Sequence, residues 1–336
     1  MAGAAAEAPT IIWVLPFYLP SHRAGTEQNA HELNRYLMAS RGFRAVVCTG
    51  AMPDSAFEGV EIVNLFSAGG VKKIVDGASL LATAHYPDYA DLARYLSTTA
   101  RKPLLHIVDS TRFRERIATL EGVADQYVVY GSERTRAEMA LSLPGLVLHS
   151  PVDWRRYAVA TSRRHITLLN VNGNKGGAVL IEIARRMPDR SFLGVRGAYG
   201  EMVIDETLPN LTYRHQASSV TEILAETGIL LMPSRHEAWG RAAVEAMCSG
   251  IPVIAHPCPG LLDALGDAGL FCDRDDIDAW VRTIRALESP GHYRAMSERC
   301  LRRSRELDPR PDLARFGAFI DRILGRPAPV TGRDQR

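Results

Sequence analysis

The chain contains no run of about eighteen apolar residues, the least a helix needs to cross a bilayer, so no segment reads as a membrane span. Its opening, MAGAAAEAP, has no positively charged stretch and carries Glu7, so it does not read as a signal peptide. Cysteine is scarce. The five present (Cys48, Cys248, Cys258, Cys272 and Cys300) form no C-x-x-C pair and no metal-ligand spacing. Isolated thiols on apolar strands fit a reducing compartment, and the expected location is the cytoplasm. Charge of one sign is also missing: 40 Lys and Arg face 38 Asp and Glu, a formal net charge of +2. That balance argues against a bulk nucleic-acid binder. Internal repeats are absent, and low complexity is confined to the two tails.

What is present is an alternation of short apolar runs and amphipathic segments over 336 residues, enough for two domains, with 46% hydrophobic residues to fill two cores. The first half predicts strands at Thr10–Leu15, Ala45–Thr49, Val60–Leu65, Leu80–Ala84, Pro103–Val108, Tyr127–Tyr130 and Leu146–Pro151. A helix from Glu27 to about Ser40 has Thr26 as its cap. The second half opens with a strand at Thr167–Val171, then Asn-Gly-Asn-Lys-Gly-Gly and a helix to Met187. It ends in a helix at Asp276 capped by Asp275, and in helices over 291–307 and about 311–324.

The chain is organised around 228–250, GILLMPSRHEAWGRAAVEAMCSG. Gly228 to Met232 is an apolar run of the kind buried on both faces of a parallel sheet. Pro233 and Ser234 stop it, a polar loop follows, and Arg241 to Cys248 has helix-forming composition with Gly250 as its stop. The loop therefore lies at the carboxyl end of a strand and the amino end of a helix, where open α/β sheets bind ligands and where anions are favoured. Glu237 stands in the loop and Glu245 on the helix. Their spacing alone is equally met by a helix-dipole partner and a solvated surface glutamate. Lys175, in Asn174-Lys175-Gly176-Gly177, also sits between a strand and a helix start. An ammonium beside glycine backbone and a helix terminus suits a diphosphate.

The string PSRHEAWGRAAVEAMCSGIPVIAHPCPGLLDALGDAGLFCD resembles the nucleotide-sugar site of the family 4 retaining glycosyltransferases. The features are P-S, a Glu, a small-aromatic-Gly turn, a second Glu followed by Ala-Met, G-x-P-V and a Gly-rich loop. AGTE at the first helix and PVDWRRY at the end of the first half resemble further parts of the family. The resemblance implies the α/β GT-B fold, two Rossmann-like domains with parallel sheets facing an interdomain cleft. The expected division is 1–158 for acceptor binding, 159–310 for the nucleotide sugar, and 311–336 for a helix crossing back to the first domain with a tail.

The same resemblance implies site roles. Glu237 would face the donor sugar and steady positive charge at the anomeric carbon, with Lys175 on the departing diphosphate. Glu245 would hold the ribose hydroxyls. Backbone of Ala238, Trp239 and Gly240 would bind phosphate or sugar, Gly260 and Leu261 would cover the sugar, and His215 and Gln216 would lie near the base. Gly25 marks a close backbone approach to the ligand. Trp239 is also readable as a packing aromatic. Where the family often has an arginine five positions before the lysine, this chain has Asn170, so a second cation must come from elsewhere. Arg196 is the candidate; Arg241 could also serve, although its place on the helix would point it outward. His22, His85 and Asp109, at strand ends of the first domain, are acceptor candidates, while His106 reads as a core histidine. The three arginines of STRFRER suit an anionic acceptor, a membrane surface or a solvated face. No D-x-D-type pair is placed to hold a divalent ion, so no metal and no cofactor are expected. The implied reaction moves a sugar, most simply from a UDP-sugar, to an acceptor hydroxyl. A catalytically silent nucleotide-sugar-binding subunit, and a nucleotide-sugar hydrolase or epimerase, remain as alternatives.

Overall fold

The computed structural model describes residues 8–66, 71–84, 86–109, 114–217 and 219–327. They form two compact units, one within residues 8–22, 26–151 and 310–327, the other within 23–25 and 152–309.

The first unit carries β1 (Thr10–Val14), β2 (Arg44–Thr49), β3 (Ser55–Phe57), β4 (Val60–Asn64), β5 (Leu80–Thr83), β6 (Leu104–Val108), β7 (Gln126–Tyr130) and β8 (Gly145–Val147). Among them run α1 (Gly25–Arg41), α2 (Val71–Asp76), α3 (Pro87–Ala100), α4 (Arg114–Ala118) and α5 (Glu133–Met139). The sheet order is β3-β4-β2-β1-β5-β6-β7-β8, parallel except for the β3–β4 pair. Every residue of β5 and β6 is buried, the pattern of strands covered on both faces. Successive β1 residues serve opposite cores: Ile11 and Trp13 one, Ile12 and Val14 the other. Thr26 does not cap α1, because the helix already begins at Gly25 and Thr26 lies in its first turn.

The second unit carries α6 (Trp154–Tyr157), β9 (His165–Leu169), α7 (Gly177–Arg186), β10 (Phe192–Val195), β11 (Leu211–Arg214), α8 (Val220–Leu224) and β12 (Thr227–Met232). It continues with α9 (Arg241–Met247), β13 (Val253–Ala255), α10 (Pro259–Leu265), β14 (Gly269–Phe271), α11 (Ile277–Ala286) and α12 (Pro290–Glu306). Its sheet is wholly parallel, in the order β11-β10-β9-β12-β13-β14. Again the alternation is two-sided, with Leu230 and Met232 in one core and Ile229 and Leu231 in the other. Asp276, not Asp275, caps α11: its carboxylate accepts from the Ala279 amide at 2.9 Å.

One boundary differs from that read in the sequence. The first unit ends at Pro151 rather than at 158, because Val152 is buried in the second unit's core and Trp154, Tyr157 and Val159 pack against it. The first unit also includes α13 (Arg310–Ile323). Phe316, Phe319 and Ile320 of α13 enter the same core as Ile11 and Trp13, and Arg41 ion-pairs with Asp321 at 3.0 Å. Phe316 is fully buried, so Phe316→Ala should cost about 3–5 kcal/mol. Chemical denaturation measures this loss, and a cost below about 1 kcal/mol would contradict the packing of α13 described above.

Candidate active site

In the second sheet the chain order reverses between neighbouring β9 and β12. Such a switch point opens a crevice beyond the carboxyl ends of the two strands, since the connections leave in opposite directions. Lys175 follows β9 and Glu237 follows β12, so topology alone brings these two segments together.

The first wall is the turn after β9. Asn172 is buried; its Oδ1 accepts from the Lys175 amide at 2.9 Å, and its carbonyl accepts from the amides of Gly176 and Gly177. Gly176 is left-handed, and a Cβ there would stand 2.4 Å from Pro233 Cγ. A Cβ on Gly177 would stand 2.3 Å from the Val171 carbonyl oxygen. Two glycines thus let this turn lie directly on the end of β12. No side chain caps α7 at Gly176; with the Gly176 and Gly177 amides held by the Asn172 carbonyl, the next amides of its first turn, at Ala178 and Val179, are the ones left to an anion.

The second wall is the loop from Pro233 to Gly240. A Cβ on Gly260 would stand 2.2 Å from the Glu237 carbonyl oxygen, and one on Gly240 would stand 2.5 Å from Leu261 Cδ2. The start of α10 is therefore pressed onto the backbone of Glu237–Gly240. Trp239 is buried in the core beneath α9, so its ring packs and only its backbone is placed to meet a ligand. Ser234 is 1% exposed, and its hydroxyl has no hydrogen-bond partner.

Across the two walls Lys175 Nζ donates to Glu237 Oε1 in a half-buried ion pair. Burial pulls the lysine pKa down, but the Glu237 carboxylate and the Tyr199 hydroxyl more than offset this, so it is raised and the ammonium stays charged. Arg241 does not point outward. It is buried, donates from Nε to Glu245 Oε1 at 2.7 Å, and gives Nη2 to the Tyr157 hydroxyl at 2.7 Å. Glu245 is buried too, which a surface glutamate would not be. Arg196 pairs with Glu206 at 3.4 Å on the outer side of β10, and no hydrogen bond or ion pair joins it to Lys175. Asn170 has a left-handed backbone and turns its amide onto the position a Gly197 Cβ would take. His215 and Gln216 are exposed beyond β11.

In the first unit the sheet order reverses between β1 and β5. His22 lies in the segment after β1, stacked on Phe17 at 4.5 Å, with burial holding its pKa below the usual value. His85, just after β5, lies outside the described residues. Asp109 directly follows β6, and its Oδ1 stands 2.4 Å from where a Gly131 Cβ would be. Gly25 opens α1, and among the described residues nothing beyond its chain neighbours and its own helix backbone lies within 4 Å of where its Cβ would be. His106 is buried, bonded to Gln126 at 3.0 Å, and pushed down to about 4 by burial, a neutral core group. Arg114 donates to the Met139 carbonyl and Arg116 pairs with Asp91; Arg112 lies outside the described residues. Asn172, Tyr199 and Arg274 are site neighbours that sequence reasoning missed. Asn172 was readable as a turn-forming asparagine, whereas no local pattern marks the other two. Among the described residues no three His, Cys, Asp or Glu side chains gather as a metal site, and no helix is long and apolar enough to cross a membrane.

Residues 208–305 match the family model described as glycosyl transferases group 1. A D-inositol 3-phosphate glycosyltransferase of Corynebacterium efficiens is 27% identical over 201 residues, 51% of this chain and 47% of that protein. A 2-deoxystreptamine glucosyltransferase of Streptomyces kanamyceticus is 36% identical over 74 residues, 21% of this chain and 19% of that one. The chain thus spans about half, or less, of the length of the curated relatives it matches. Among solved structures, a sucrose-phosphate synthase from Thermosynechococcus elongatus superposes with TM-score 0.72 at 15% identity, covering 95% of this chain and 99% of that one. The HepE protein of Anabaena in complex with UDP-glucose gives TM-score 0.72 at 15% identity, covering 94% and 99%. The fold is GT-B, and the stretch over residues 208–305 is similar to the group 1 glycosyltransferases.

The buried Arg241–Glu245 pair makes a stability prediction. Glu245→Leu leaves a buried guanidinium without its carboxylate and should cost about 3–5 kcal/mol. Adding Arg241→Leu to it should recover most of that loss. Urea unfolding of the two variants checks this, and equal stability of the single variant and the native chain would contradict it.

Proposed function

We propose that the chain is a hexosyltransferase moving a sugar from a UDP-sugar to an acceptor hydroxyl, with retention at the anomeric carbon and without a divalent metal or other cofactor. The observation that carries this reading is the Lys175–Glu237 ion pair across the switch-point crevice. It is supported by the group 1 match and by the UDP-glucose held in the HepE neighbour.

In the reaction the bond from the anomeric carbon to the diphosphate oxygen breaks, leaving positive charge on the sugar and negative charge on the diphosphate. The acceptor oxygen bonds to that carbon and its proton passes to the departing diphosphate. Lys175 and the uncapped amides of α7 meet the negative charge with preorganised donors. In the ligand-free protein Glu237 neutralises Lys175. A diphosphate competes for that ammonium, and the released carboxylate then faces the developing positive charge. Glu245, held by Arg241, which donates in turn to the Tyr157 hydroxyl, offers its carboxylate to the ribose hydroxyls. The carboxylate is oriented before the ligand arrives, which lowers the entropy cost of binding. The acceptor meets the first unit, with His22, His85 and Asp109 as the residues to examine.

Four measurements test the reading. UDP at a hundred times its dissociation constant should stabilise the protein by about 2.7 kcal/mol. No thermal shift with any uridine, guanosine or thymidine diphosphate would remove the donor assignment. Glu237→Gln should lower kcat by about 10²–10³-fold with little change in KM, because its charge is met only in the transition state. Equal, small losses in kcat and KM would return Glu237 to a structural role. Transfer should also persist in EDTA; abolition by EDTA and recovery with Mg²⁺ or Mn²⁺ would refute metal independence. Release of free sugar without acceptor, as the sole product in every trial, would instead identify a hydrolase.

A further inference from the structure

Arg274 follows β14, the edge strand of the second sheet, yet its side chain reaches back across the carboxyl ends of β13 and β12 to the turn after β9. It is 6% exposed. Its Nη1 donates to the carbonyls of Asn174 (3.0 Å) and Pro233, and its Nη2 to the carbonyl of Gly173 at 2.7 Å. Its own amide donates to His256 Nδ1 at 3.1 Å, fixing the base of the side chain. Among the described residues no carboxylate lies within ion-pair distance of it. Burial and the charge of Arg235 disfavour its charged form, and Asp275 offsets them only in part.

A buried guanidinium with carbonyl partners keeps its hydrogen bonds but not its charge balance, and a buried unbalanced charge is costly. The surplus sits directly beneath the two segments that carry Lys175 and Glu237. The bonds also have a directional effect. In a planar trans peptide the C=O and N–H point opposite ways, so drawing the carbonyls of Gly173 and Pro233 onto Arg274 turns the amides of Asn174 and Ser234 away from it. Beside that strand end lies the buried Ser234 hydroxyl with no partner of its own.

We propose that Arg274 is a positioning residue for a diphosphate: it ties the turn after β9 to the end of β12, turns their amides toward the ligand, and supplies a charge that only an anionic ligand balances. The identity of that diphosphate as part of a nucleotide sugar rests on the function proposed above; the assignment of Arg274 does not.

The test uses the full chain with Arg274→Gln and Arg274→Lys, titrated calorimetrically with inorganic pyrophosphate, UDP and uridine. The Gln variant should bind pyrophosphate and UDP about 10–100-fold more weakly, the size expected for loss of a charged hydrogen-bond group. Uridine affinity should change by less than about twofold, and the Lys variant should recover part of the loss because it keeps the charge. A purely structural staple would weaken UDP and uridine together, and that result overturns the proposal, as does UDP binding unchanged in a folded Gln variant. Pyrophosphate bound in an Arg274-dependent way with no preference for UDP supports Arg274 and removes the nucleotide-sugar reading. Failure of the native chain to bind either pyrophosphate or UDP overturns both. Should neither variant fold, hydrogen exchange on the native chain decides. Pyrophosphate should slow exchange at 173–177 and 233–236, and no slowing there overturns the assignment.

Discussion

The second unit depends on one steric constraint, the close approach of the turn after β9 to the end of β12. Only glycine at 176 and 177 permits it, since any Cβ would fall within 2.4 Å of Pro233 or of the Val171 carbonyl. That approach places an ammonium from one turn against a carboxylate from the other. It also brings three carbonyls within reach of a single guanidinium. Gly260 and Gly240 repeat the device on the far side, seating α10 against the backbone of the Glu237 loop. The rigidity of the site is therefore inherited from main-chain contacts rather than from long side chains, which is what a preorganised charge-binding site requires.

Electrostatics then divides the charged residues by what they already hold. Lys175 and Glu237 satisfy each other and are the pair a ligand can separate. Arg241 and Glu245 are more deeply buried, tied to Tyr157, and act as a fixed unit. Arg274 has hydrogen bonds without a counter-charge. A ligand bearing both anionic and hydroxyl groups would use all three kinds of group differently. The diphosphate would exchange for Glu237 and balance Arg274, while hydroxyls would meet a carboxylate that never moves.

Much of this was legible in the sequence because it rests on short-range pattern. The strand at 228–232, the loop, the helix and Gly250 are consecutive, and the apolar run is long enough to show burial on both faces. Lys175 was readable because glycines follow it at a strand-to-helix turn. What the sequence concealed depends on contacts distant along the chain. The Arg241–Glu245 pair sits at helical spacing, yet its burial follows from Tyr157 of the linker segment packing over α9. Arg196 was a reasonable second cation until Glu206 proved to hold it. Arg274 lies about a hundred residues from the turn it grips, and a lone arginine after an edge strand carries no local signal. The cap of α11 failed by one position, because two adjacent aspartates are equally good caps and only the chain direction selects Asp276.

Under the proposed function, Glu237 occupies the place of the ligand's negative charge until the ligand arrives. The affinity of UDP for Lys175→Met and for Glu237→Gln, measured by calorimetry at fixed salt, tests it most directly. Lys175→Met should weaken UDP by about 10–100-fold, since a charged donor is lost, whereas Glu237→Gln should leave UDP binding unchanged or tighter, since a competing carboxylate is removed. Equal weakening by both substitutions would contradict the account, because Glu237 would then be helping to hold the nucleotide rather than yielding Lys175 to it.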